Sequence, residues 1–490
     1  MMDTKLAFKP VARGDIEKFS KKELIDFFLG EQDIRFQLEK LAKELEEERI
    51  AIGDRYLILK NRAFAPKTER QPKTPKEKKD PKPPDDRKLL PSERYPDAEI
   101  MDQDVTLEPS PHCSLCDSEM VDSGMTEVSE SITIIPKKYL IKRQHLHKYT
   151  CRSCHGQIIT TPSPPRIKPG SSYDDDLIID VGLSKYCDLI PIERYTSMAS
   201  RQGFKGLPPN SLIELTHYLA EFLRPIYERI KAEVQSSKIL HADETPHKML
   251  EGAEKKSWYF WGFSTPTASY FECHGTRSGD VAYDFLRDSN CEILVSDVYS
   301  GYNKAIRIAN KDRVSSNKVE IKPAFCNAHA RRKLREIPGD DGKLFVEKYA
   351  EIYRLKKEKK LSEMRIVFEK IKQRAEKAKE RYSTKSHEYS AANYFLKNYE
   401  GLTRCAEDES IPIDNNSQER ELRNPVIGRK TWYGTHSIKG AMTAQILFTI
   451  VQSCRLNNLN PREYFHNLVN NIHQQLPPLT PYQVVQSSLH

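Results

Sequence analysis

The chain has 490 residues, with 30% charged and 38% hydrophobic positions, a mean hydropathy of -0.67 and a formal net charge of +8. At about 100–200 residues per domain, this length predicts several domains rather than one core. No apolar run approaches the roughly 18 residues of a membrane span, and the first residues lack the apolar segment of a secretory signal. These features exclude an integral membrane protein and argue against secretion. The basic balance permits nucleic acid, an anionic membrane surface or an acidic protein as partner.

Residues 20–62 are predicted to form a helix with a coiled-coil seam. Apolar residues recur at the alternating three- and four-residue spacing of such a seam; they are Phe27, Ile34, Leu38, Leu41, Leu45 and Ile52. The same pattern also fits an amphipathic helix that packs on its own protein, and the sequence leaves both interpretations open. Residues 63–108 follow as a linker rich in Pro and Lys, with too few apolar groups to form a core.

Two C-x-x-C pairs predict a small zinc-binding domain over residues 109–160. The pairs are Cys113 with Cys116 and Cys151 with Cys154. Each pair places two thiolates on a tight turn, and two such turns complete the tetrahedral site of a structural Zn²⁺. The residues between the pairs include strand-like segments at 131–136 and 139–141. The alternatives are two unrelated turns, a redox dithiol, or a site in which His112 or His155 replaces one cysteine.

Residues 171–235 are predicted to be helical, and the chain then changes to the pattern of an α/β sheet over 236–325. Four apolar strands are predicted at 237–243, 258–263, 269–273 and 292–297, with a helix at 281–287. Two of these strands end in an acid, Asp243 and Asp297. Strands that alternate with a helix in this way indicate a sheet with acidic side chains at strand ends.

From residue 326 the sequence is strongly helical and charged, and 343–381 reads as one long amphipathic stretch. A capping signal at 414–416 predicts the start of a helix that carries Glu419, and an apolar helix is predicted at 441–456. The segment from residue 474 is rich in Pro, Gln and Ser and is expected to be loose.

Asp243, Asp297 and Glu419 are candidate ligands of a two-metal site. Mg²⁺ and Mn²⁺ prefer oxygen ligands, and two such ions about 3.5–4 Å apart can support an in-line displacement at phosphorus. Three carboxylates from distant parts of the sequence, two at strand ends and one on a helix, fit that requirement. A single Asp at a strand end is more often a cap or turn residue, so the pattern alone leaves the structural interpretation open.

Two basic segments are candidate DNA contacts. One begins a helix after Cys326 and the other follows Glu419, with Trp432 and Tyr433 just beyond it. Their cations are Arg331, Arg332, Lys333, Arg420, Arg423, Arg429 and Lys430. Clustered cations with nearby aromatic residues suit a phosphate backbone and stacked bases, whereas the alternative is a solvated helix face.

In these motifs the chain resembles the DDE transposases of the insertion sequence 66 family, from about residue 20 to residue 466. Four distinctive motifs occur in the family's order: HADETP at 241–246, DVYSGY at 297–302, CNAHARR at 326–332 and IDNNSQER at 413–420. The helical segment also contains PIERY at 191–195. The chain has Val298 and Asn327 where the family commonly has a glycine and an aromatic residue.

The resemblance implies a multidomain α/β protein with an RNase H-like catalytic core. The core is expected at 236–325 and 411–470, interrupted by a helical insertion at 326–410 and followed by a tail at 471–490. A coiled-coil helix, a small zinc finger and a helical DNA-binding segment at 171–235 precede it.

The resemblance also implies residue roles. Asp243, Asp297 and Glu419 take the three carboxylate positions of the catalytic triad and hold two Mg²⁺ or Mn²⁺ ions. The structural Zn²⁺ is assigned to the four cysteines of the C-x-x-C pairs. Residues expected to contact DNA are His329, Arg331, Arg332, Lys333, Arg420, Arg423, Arg429 and Lys430.

The expected partners are the terminal inverted repeats of the element and target DNA. The protein is expected to bind them as a homo-oligomer held together by the coiled coil. The expected location is the bacterial cytoplasm, at the nucleoid, with no membrane partner. The resemblance also suggests short accessory proteins of the same element. Two other functions remain open: a nuclease with the same core that cleaves without joining, and an inactive, transposase-derived zinc-finger protein that only binds DNA.

Overall fold

A computed structural model describes residues 19–64, 89–106, 110–122, 124–153, 156–250 and 257–488. The chain divides into two compact units, one of residues 65–142 and one of residues 1–64 with 143–490. None of the helices in the described ranges combines the length and apolar character required to cross a bilayer.

Helix α1, Lys21–Phe64, confirms the helix predicted at 20–62 and continues two residues into the predicted linker. It begins with a capping box, in which the backbone N–H and hydroxyl of Ser20 donate to the Glu23 carboxylate at 2.8 and 2.7 Å, and the Glu23 N–H returns a bond to the hydroxyl. Leu38 and Leu45 of the predicted seam are 59% and 57% exposed. The remaining linker residues 65–88 lie outside the described ranges.

The unit of residues 65–142 contains the short helix α2, Pro91–Arg94, whose Ser92 donates two hydrogen bonds to Glu130 at 2.8 Å. The strands predicted at 131–136 and 139–141 are absent, so that prediction is wrong. Their apolar side chains, such as Ile134 and Leu140, are more than four-fifths exposed. An alternating apolar pattern forms a strand only where a partner strand and a core are present, and these residues have neither.

The second unit begins, after α1, with a small antiparallel hairpin of β1, Lys148–Thr150, and β2, Ile158–Thr160. Four helices follow and confirm the helical prediction for 171–235. They are α3 Asp175–Tyr186, α4 Ile192–Arg201, α5 Pro209–Phe222 and α6 Arg224–Gln235. Their apolar faces are fully buried, as at Ile179, Leu212 and Ile226, so these helices form a packed layer.

Five strands form a mixed sheet. They are β3 Ile239–Lys248, β4 Ser257–Ser264, β5 Ser269–His274, β6 Ile293–Ser296 and β7 Lys322–Phe325. Across the sheet the order is β5–β4–β3–β6–β7. Strand β4 runs antiparallel to its neighbours β3 and β5, whereas β6 and β7 run parallel to β3. Helices α7, Gly279–Leu286, and α8, Ser300–Ser315, connect β5 to β6 and β6 to β7.

The four predicted strands and the predicted helix are confirmed, with two differences. Strand β7 was not predicted, because its sequence is only four residues long and contains Pro323. Asp243 lies inside β3 rather than at its end, since β3 continues to Lys248 against β4. Only the pairing of β3 with β6 stops before the acid, at His241.

Residues 326–410 form a helical subdomain that shares a hydrophobic core with β6 and β7. Its helices are α9 Asn327–Arg335, α10 Gly339–Lys357, α11 Leu361–Arg381, α12 His387–Lys397 and α13 Tyr399–Thr403. The single long stretch predicted at 343–381 is therefore two helices. The chain turns at Lys359, whose φ of 61° is left-handed, and this allows the apolar faces of α10 and α11 to pack on each other.

The last helices are α14 Asn416–Glu421, α15 Arg423–Trp432, α16 Ile438–Leu456, α17 Pro461–His473 and α18 Pro481–Ser488. The start predicted for α14 is confirmed, and the apolar helix predicted at 441–456 is α16, which begins three residues earlier, at Ile438. The segment after residue 474 is not loose, because Thr480 is buried and its hydroxyl donates to Glu233 at 2.6 Å. The Tyr464 hydroxyl also donates to the Leu479 carbonyl at 2.7 Å, which holds the segment against α17.

Helix α16 covers the edge strand β5 through a polar stripe within an otherwise apolar helix. Gln445, Thr449 and Ser453 are four residues apart and accept the N–H groups of Cys273, Phe271 and Ser269, at 3.0, 3.0 and 3.1 Å. A helix advances about 6 Å in four residues and a strand advances about 6.6 Å in two, so the two spacings match. The stripe gives the unpaired edge of β5 hydrogen-bond partners.

We predict that Thr449→Val destabilises the protein by about 1–3 kcal/mol, because a buried N–H of β5 loses its acceptor while the side-chain volume is kept. The free energy of unfolding from urea denaturation measures this. The matched control is Thr431→Val, whose hydroxyl only bonds its own helix at Ile427 and which we expect to stay within about 0.5 kcal/mol. Equal effects of the two substitutions would contradict the assignment.

Candidate active site

Asp243 and Asp297 come from neighbouring parallel strands. His241 of β3 lies opposite Val295 of β6, and each acid follows two residues later, so both project on the same face beyond the end of the parallel pairing. Asp297 is fixed at the end of β6 by the N–H of Tyr299, which donates to Oδ1 at 3.1 Å. The pairing of β3 with β6 therefore brings the first two predicted site acids together.

Glu419 reaches the same region on α14, which packs across β3 and β4. The adjacent Gln418 is fully buried, and its amide lies over Gly262, the β4 residue paired with Asp243. A Cβ atom at position 262 would be only 2.2 Å from the Gln418 Nε2 atom. The glycine thus gives α14 the close approach that places Glu419 near the two aspartates.

Asn415, just before α14, joins this helix to β3 and to α9. Its Oδ1 accepts from His241 Nδ1 at 2.8 Å, and its Nδ2 donates to the Ala242 carbonyl at 2.8 Å. Its backbone N–H donates to the Cys326 sulfur at 3.2 Å. Burial lowers the pKa of His241, so the neutral ring carries its proton on Nδ1 to make this bond. Every hydrogen-bonding group of the Asn415 side chain is therefore used to position α14.

The electrostatics of Asp243 show that the three acids interact. Burial, followed by the charges of Glu244 and Asp297, raises the pKa of Asp243 to about 8, and Glu419 adds to this shift. A hydrogen bond from the Glu244 N–H opposes it. Like charges shift a neighbour in this way only at short range. The structure thus places the charges of Asp297 and Glu419 within electrostatic range of Asp243.

Glu244 is a further acid at this site, beside the three predicted ones. No sequence pattern had singled it out. Its carboxylate is almost fully buried, accepting from Arg277 Nε at 2.8 Å and from the Tyr302 hydroxyl at 2.6 Å. The Arg277 guanidinium also lies 4.2 Å from the ring centre of Tyr299. Both tyrosines belong to the DVYSGY motif, so that motif supports the buried Arg277–Glu244 pair beside Asp243. The position of Glu244 in HADETP is the signal that could have identified it.

A Cys–His–Glu cluster lies where α9 meets α14. One ligand atom from each of Cys326, His329 and Glu419 falls within 4.8 Å of the others, and His329 Nε2 is 3.8 Å from Glu419 Oε1. Within the described ranges, the buried His329 Nδ1 has no hydrogen-bond partner. Burial raises the pKa of the Cys326 thiol to about 11, although backbone N–H groups of Asn415 and His329 oppose the shift. The side chain of His329 thus faces the acid cluster.

The predicted DNA contacts lie on both sides of Glu419. Arg332 and Lys333 are exposed on α9, and Arg331 is half-buried there. The Lys333 ammonium group is 4.8 Å from the ring centre of Tyr394. On the other side the exposed cations are Arg420, Arg423 and Lys430. Because the Asn415 N–H donates to the Cys326 sulfur, the start of α9 and the start of α14 are neighbours.

Arg429 differs from these cations because it is partly buried. Burial lowers the pKa of its guanidinium. Burial, aided by the charge of Arg429, also lowers the pKa of His247 to about 4. The guanidinium therefore lies close to β3, on which His247 is buried.

Asn327 has a clear structural role, although the family commonly has an aromatic residue there. It is fully buried, and its Nδ2 donates to the carbonyls of Leu402 and Ile413 at 2.9 and 3.1 Å. Its Oδ1 accepts from the Tyr349 hydroxyl at 3.3 Å. Asn327 thus ties α9 and α10 to the segment that leads into α14. Val298 packs against the core of the helical subdomain.

The first cysteine pair lies on one tight turn. Cys113 donates its N–H to Ser118 and accepts from Asp117 N–H, both at 2.9 Å, and the left-handed Asp117, with φ 58°, closes the turn. Hydrogen bonds from Ser118, followed by one from Cys113, lower the pKa of Cys116. Cys151 is exposed directly after β1, and Cys154 lies outside the described residues.

A mixed α/β core with clustered carboxylates and flanking cations is typical of proteins that process nucleic acids. Residues 170–443 match the family model described as Transposase IS66 family. The match covers more than half of the chain, and the chain belongs to this family. Membership supports a transposase-type role and implies binding of DNA and use of a divalent metal.

The chain is also similar to curated proteins of Sinorhizobium fredii. The protein y4hP is 25% identical over 422 residues, which span 79% of this chain and 75% of the relative. The protein y4jD is 26% identical over 396 residues, spanning 75% of this chain and 76% of the relative. Both are described as uncharacterized proteins.

We predict that Asn415→Ala lowers stability by about 2 kcal/mol, because two buried hydrogen bonds to β3 at about 1 kcal/mol each are lost. Asn416→Ala is the matched control, since Asn416 is the next residue and exposed; we expect it to change stability by less than about 0.5 kcal/mol. Urea denaturation of both variants measures the difference. A neutral Asn415→Ala would contradict the role assigned to this side chain.

Proposed function

We propose that the protein is a DNA transposase that binds the terminal inverted repeats of its element, cleaves the ends and joins them to target DNA. The observation that carries the proposal is the convergence of Asp243, Asp297 and Glu419 from β3, the end of β6 and α14. Each of these acids lies in a separate motif of the family. The proposal assigns them the three carboxylate positions of a DDE triad.

The sheet supports an RNase H-like core. In such cores the first acid lies on the first strand, the second follows a later strand and the glutamate lies on a helix. Here Asp243 is on the central first strand of the five-stranded sheet and Asp297 follows the neighbouring parallel strand β6. Glu419 is on a helix that returns after the helical subdomain. We therefore propose residues 236–325 and 411–470 as the core and 326–410 as its insertion.

The donor set fits hard divalent cations. Asp243, Asp297 and Glu419 offer carboxylate oxygens, and Arg277 is already paired with the buried Glu244. Mg²⁺ and Mn²⁺ take such oxygen ligands together with water and substrate phosphates. Two bound ions supply an activated attacking oxygen and a stabilised leaving oxygen for displacement at phosphorus. The three carboxylates hold and orient that pair, and none of them acts as the nucleophile.

The proposed reaction has two displacements in the same site. In the first, a water oxygen forms a bond to phosphorus at the end of the element and gives up a proton to solvent, while the P–O bond to the 3′ oxygen breaks and that oxygen takes up a proton from solvent. The products are a 3′-OH and a 5′-phosphate. In the second, that 3′-OH forms the new phosphodiester bond with target DNA and releases a target 3′-OH. No oxidant or phosphoenzyme is required.

The basic residues that flank Glu419 are proposed to hold the DNA backbone. Arg331, Arg332 and Lys333 approach from α9, and four further cations from α14 and α15 approach from the other side; they are Arg420, Arg423, Arg429 and Lys430. Because α9 and α14 meet at Cys326 and Asn415, phosphates bound to both segments lie beside the acids. Contacts of this kind position DNA without reading its sequence.

We also propose that a structural Zn²⁺ binds the C-x-x-C pairs and that this zinc finger, with helices α3 to α6, reads the terminal repeats. The Cys113–Cys116 turn supports this, because both thiols lie on one tight turn and are hydrogen-bonded to each other. Helices α3 to α6 supply a rigid layer for docking to DNA.

The proposed self-association rests on α1. Of the α1 side chains that the structure describes, all but Leu24 are exposed and none is buried, although the predicted seam is apolar. Exposed leucines at heptad spacing are stabilised when a second copy of the helix covers them. We propose that α1 pairs two copies of the chain, so that two element ends are held together.

We predict that Leu38→Lys together with Leu45→Lys weakens self-association of the full chain by about a hundredfold or more, because four leucines of the paired helices lose their burial. Sedimentation equilibrium measures this. The control, Glu39→Lys with Glu46→Lys, introduces the same two lysines seven residues apart on another face and is expected to leave the assembly intact. A monomeric wild-type chain, or equal effects of both pairs, would overturn the coiled coil.

We predict that Asp243→Asn abolishes cleavage and strand joining, by about a hundredfold or more, because a charged metal ligand is lost from the reacting centre. Binding to a duplex of the element end is expected to stay unchanged, since the side-chain shape is kept. Gel analysis of cleaved and joined products in Mg²⁺ measures the effect. The control is Asp280→Asn on α7, an exposed acid paired with Lys304.

Retention of strand joining by Asp243→Asn would end the triad assignment. Metal-dependent cleavage without any joined product from the wild-type chain would instead identify a nuclease. Binding without either product would identify a DNA-binding protein.

A further inference from the structure

Cys326, His329 and Glu419 lie together beside the acid cluster but use donor atoms unlike those of a magnesium site. Their ligand atoms lie within 4.8 Å of one another. Cys326 and His329 are separated by two residues at the start of α9, and Glu419 comes from α14. Cys326 is buried, whereas His329 and Glu419 are about one-third exposed. The cluster is therefore sheltered on one side and open to water on the other.

Two details of these side chains point to a missing ligand. In the described part of the chain, the buried His329 Nδ1 has no hydrogen-bond partner, and an unpaired buried ring nitrogen costs about 1–3 kcal/mol. The Cys326 sulfur accepts the backbone N–H of Asn415 at 3.2 Å, a bond that offsets part of the rise in the thiol pKa caused by burial. A cation bound by a ring nitrogen and a thiolate would use both groups.

We propose that Cys326, His329 and Glu419 form a site for one Zn²⁺ ion, separate from the cysteine pairs near the N-terminus. Thiolate sulfur, imidazole nitrogen and carboxylate oxygen are the three donor types that Zn²⁺ accepts, whereas Mg²⁺ does not take sulfur. Three protein ligands leave a fourth position for water. Uptake of the ion replaces the thiol proton of Cys326, which passes to solvent.

The consequence of the site follows from the elements it joins. Zinc would tie α9, the first helix of the helical subdomain, to α14, where Glu419 is carried. Glu419 has two carboxylate oxygens, so one can bind zinc while the other binds a divalent ion at the neighbouring site of Asp243 and Asp297. The ion thus acts as a positioning element for Glu419. This consequence rests on the proposed function, whereas the zinc site itself does not.

The test uses the full chain with Cys113→Ser, Cys116→Ser, Cys151→Ser and Cys154→Ser, which removes the four cysteines predicted to bind the other zinc ion. This background protein is loaded with Co²⁺ and with Zn²⁺ in separate samples. We expect one equivalent of zinc by mass spectrometry. We also expect a thiolate-to-cobalt charge-transfer band with visible d–d bands. Addition of Cys326→Ala should remove the charge-transfer band, and addition of His329→Gln should weaken zinc binding by about tenfold or more.

Cys291→Ala is the matched control, because Cys291 is another buried thiol, whose Sγ donates to the Ile293 carbonyl at 3.3 Å. It should keep the band and the zinc. If Cys326→Ala does not fold, the exposed edge of His329 makes His329→Gln the deciding variant. Unchanged spectra and zinc content in both variants, or no zinc in the background protein, would overturn the site. These measurements need no DNA, so a failure of the zinc site is distinguishable from a failure of the proposed DNA chemistry.

Discussion

The side chain of Asn415 joins the two parts of the fold that carry the candidate catalytic acids. It bonds His241 and the Ala242 carbonyl on β3, directly before Asp243, while its backbone bonds Cys326 at the start of α9. Glu419 follows one helical turn later. Because His241 and Asn415 are 174 residues apart in sequence, these few hydrogen bonds set the distance between Glu419 and the aspartates.

The helical subdomain is also attached where the start of α9 meets the segment before α14. Asn327 ties α9 to the carbonyls of Leu402 and Ile413, at the two ends of the segment that leads back to α14. The subdomain shares one hydrophobic core with β6 and β7, so it is packed on the sheet rather than attached by loops. A helical subdomain packed in this way can place cations on α9 near Glu419 without loosening the region around the acids.

Much of the fold could be predicted from the sequence. Apolar periodicity located α1, the helices of 171–235 and four of the five strands, because burial on one face imposes a period on the sequence. The sequence pattern failed where contacts with other parts of the chain determine the secondary structure. Strand β7 is too short to show a period, and the apolar residues at 131–141 have no partner strand. The turn at Lys359 was missed because a left-handed lysine leaves no signal in an otherwise helical pattern.

For the candidate site, motifs supplied the three acids and the basic segments, but not the groups that hold them. The roles of Glu244, Arg277 and Asn415 depend on contacts between residues far apart in sequence. The same is true of the approach of Cys326 and His329 to Glu419. Polar residues that bond to backbone or to one another have no sequence period, so their partners become visible only in the folded chain.

The central claim is that Asp243, Asp297 and Glu419 together hold the ions of a phosphoryl-transfer site. The most direct measurement is anomalous X-ray diffraction from crystals of the full chain with element-end DNA and Mn²⁺. The account predicts two manganese peaks about 3.5–4 Å apart, bound by these three carboxylates and by a phosphate of the DNA. Manganese bound elsewhere, or a site to which Glu419 contributes no oxygen, would contradict it.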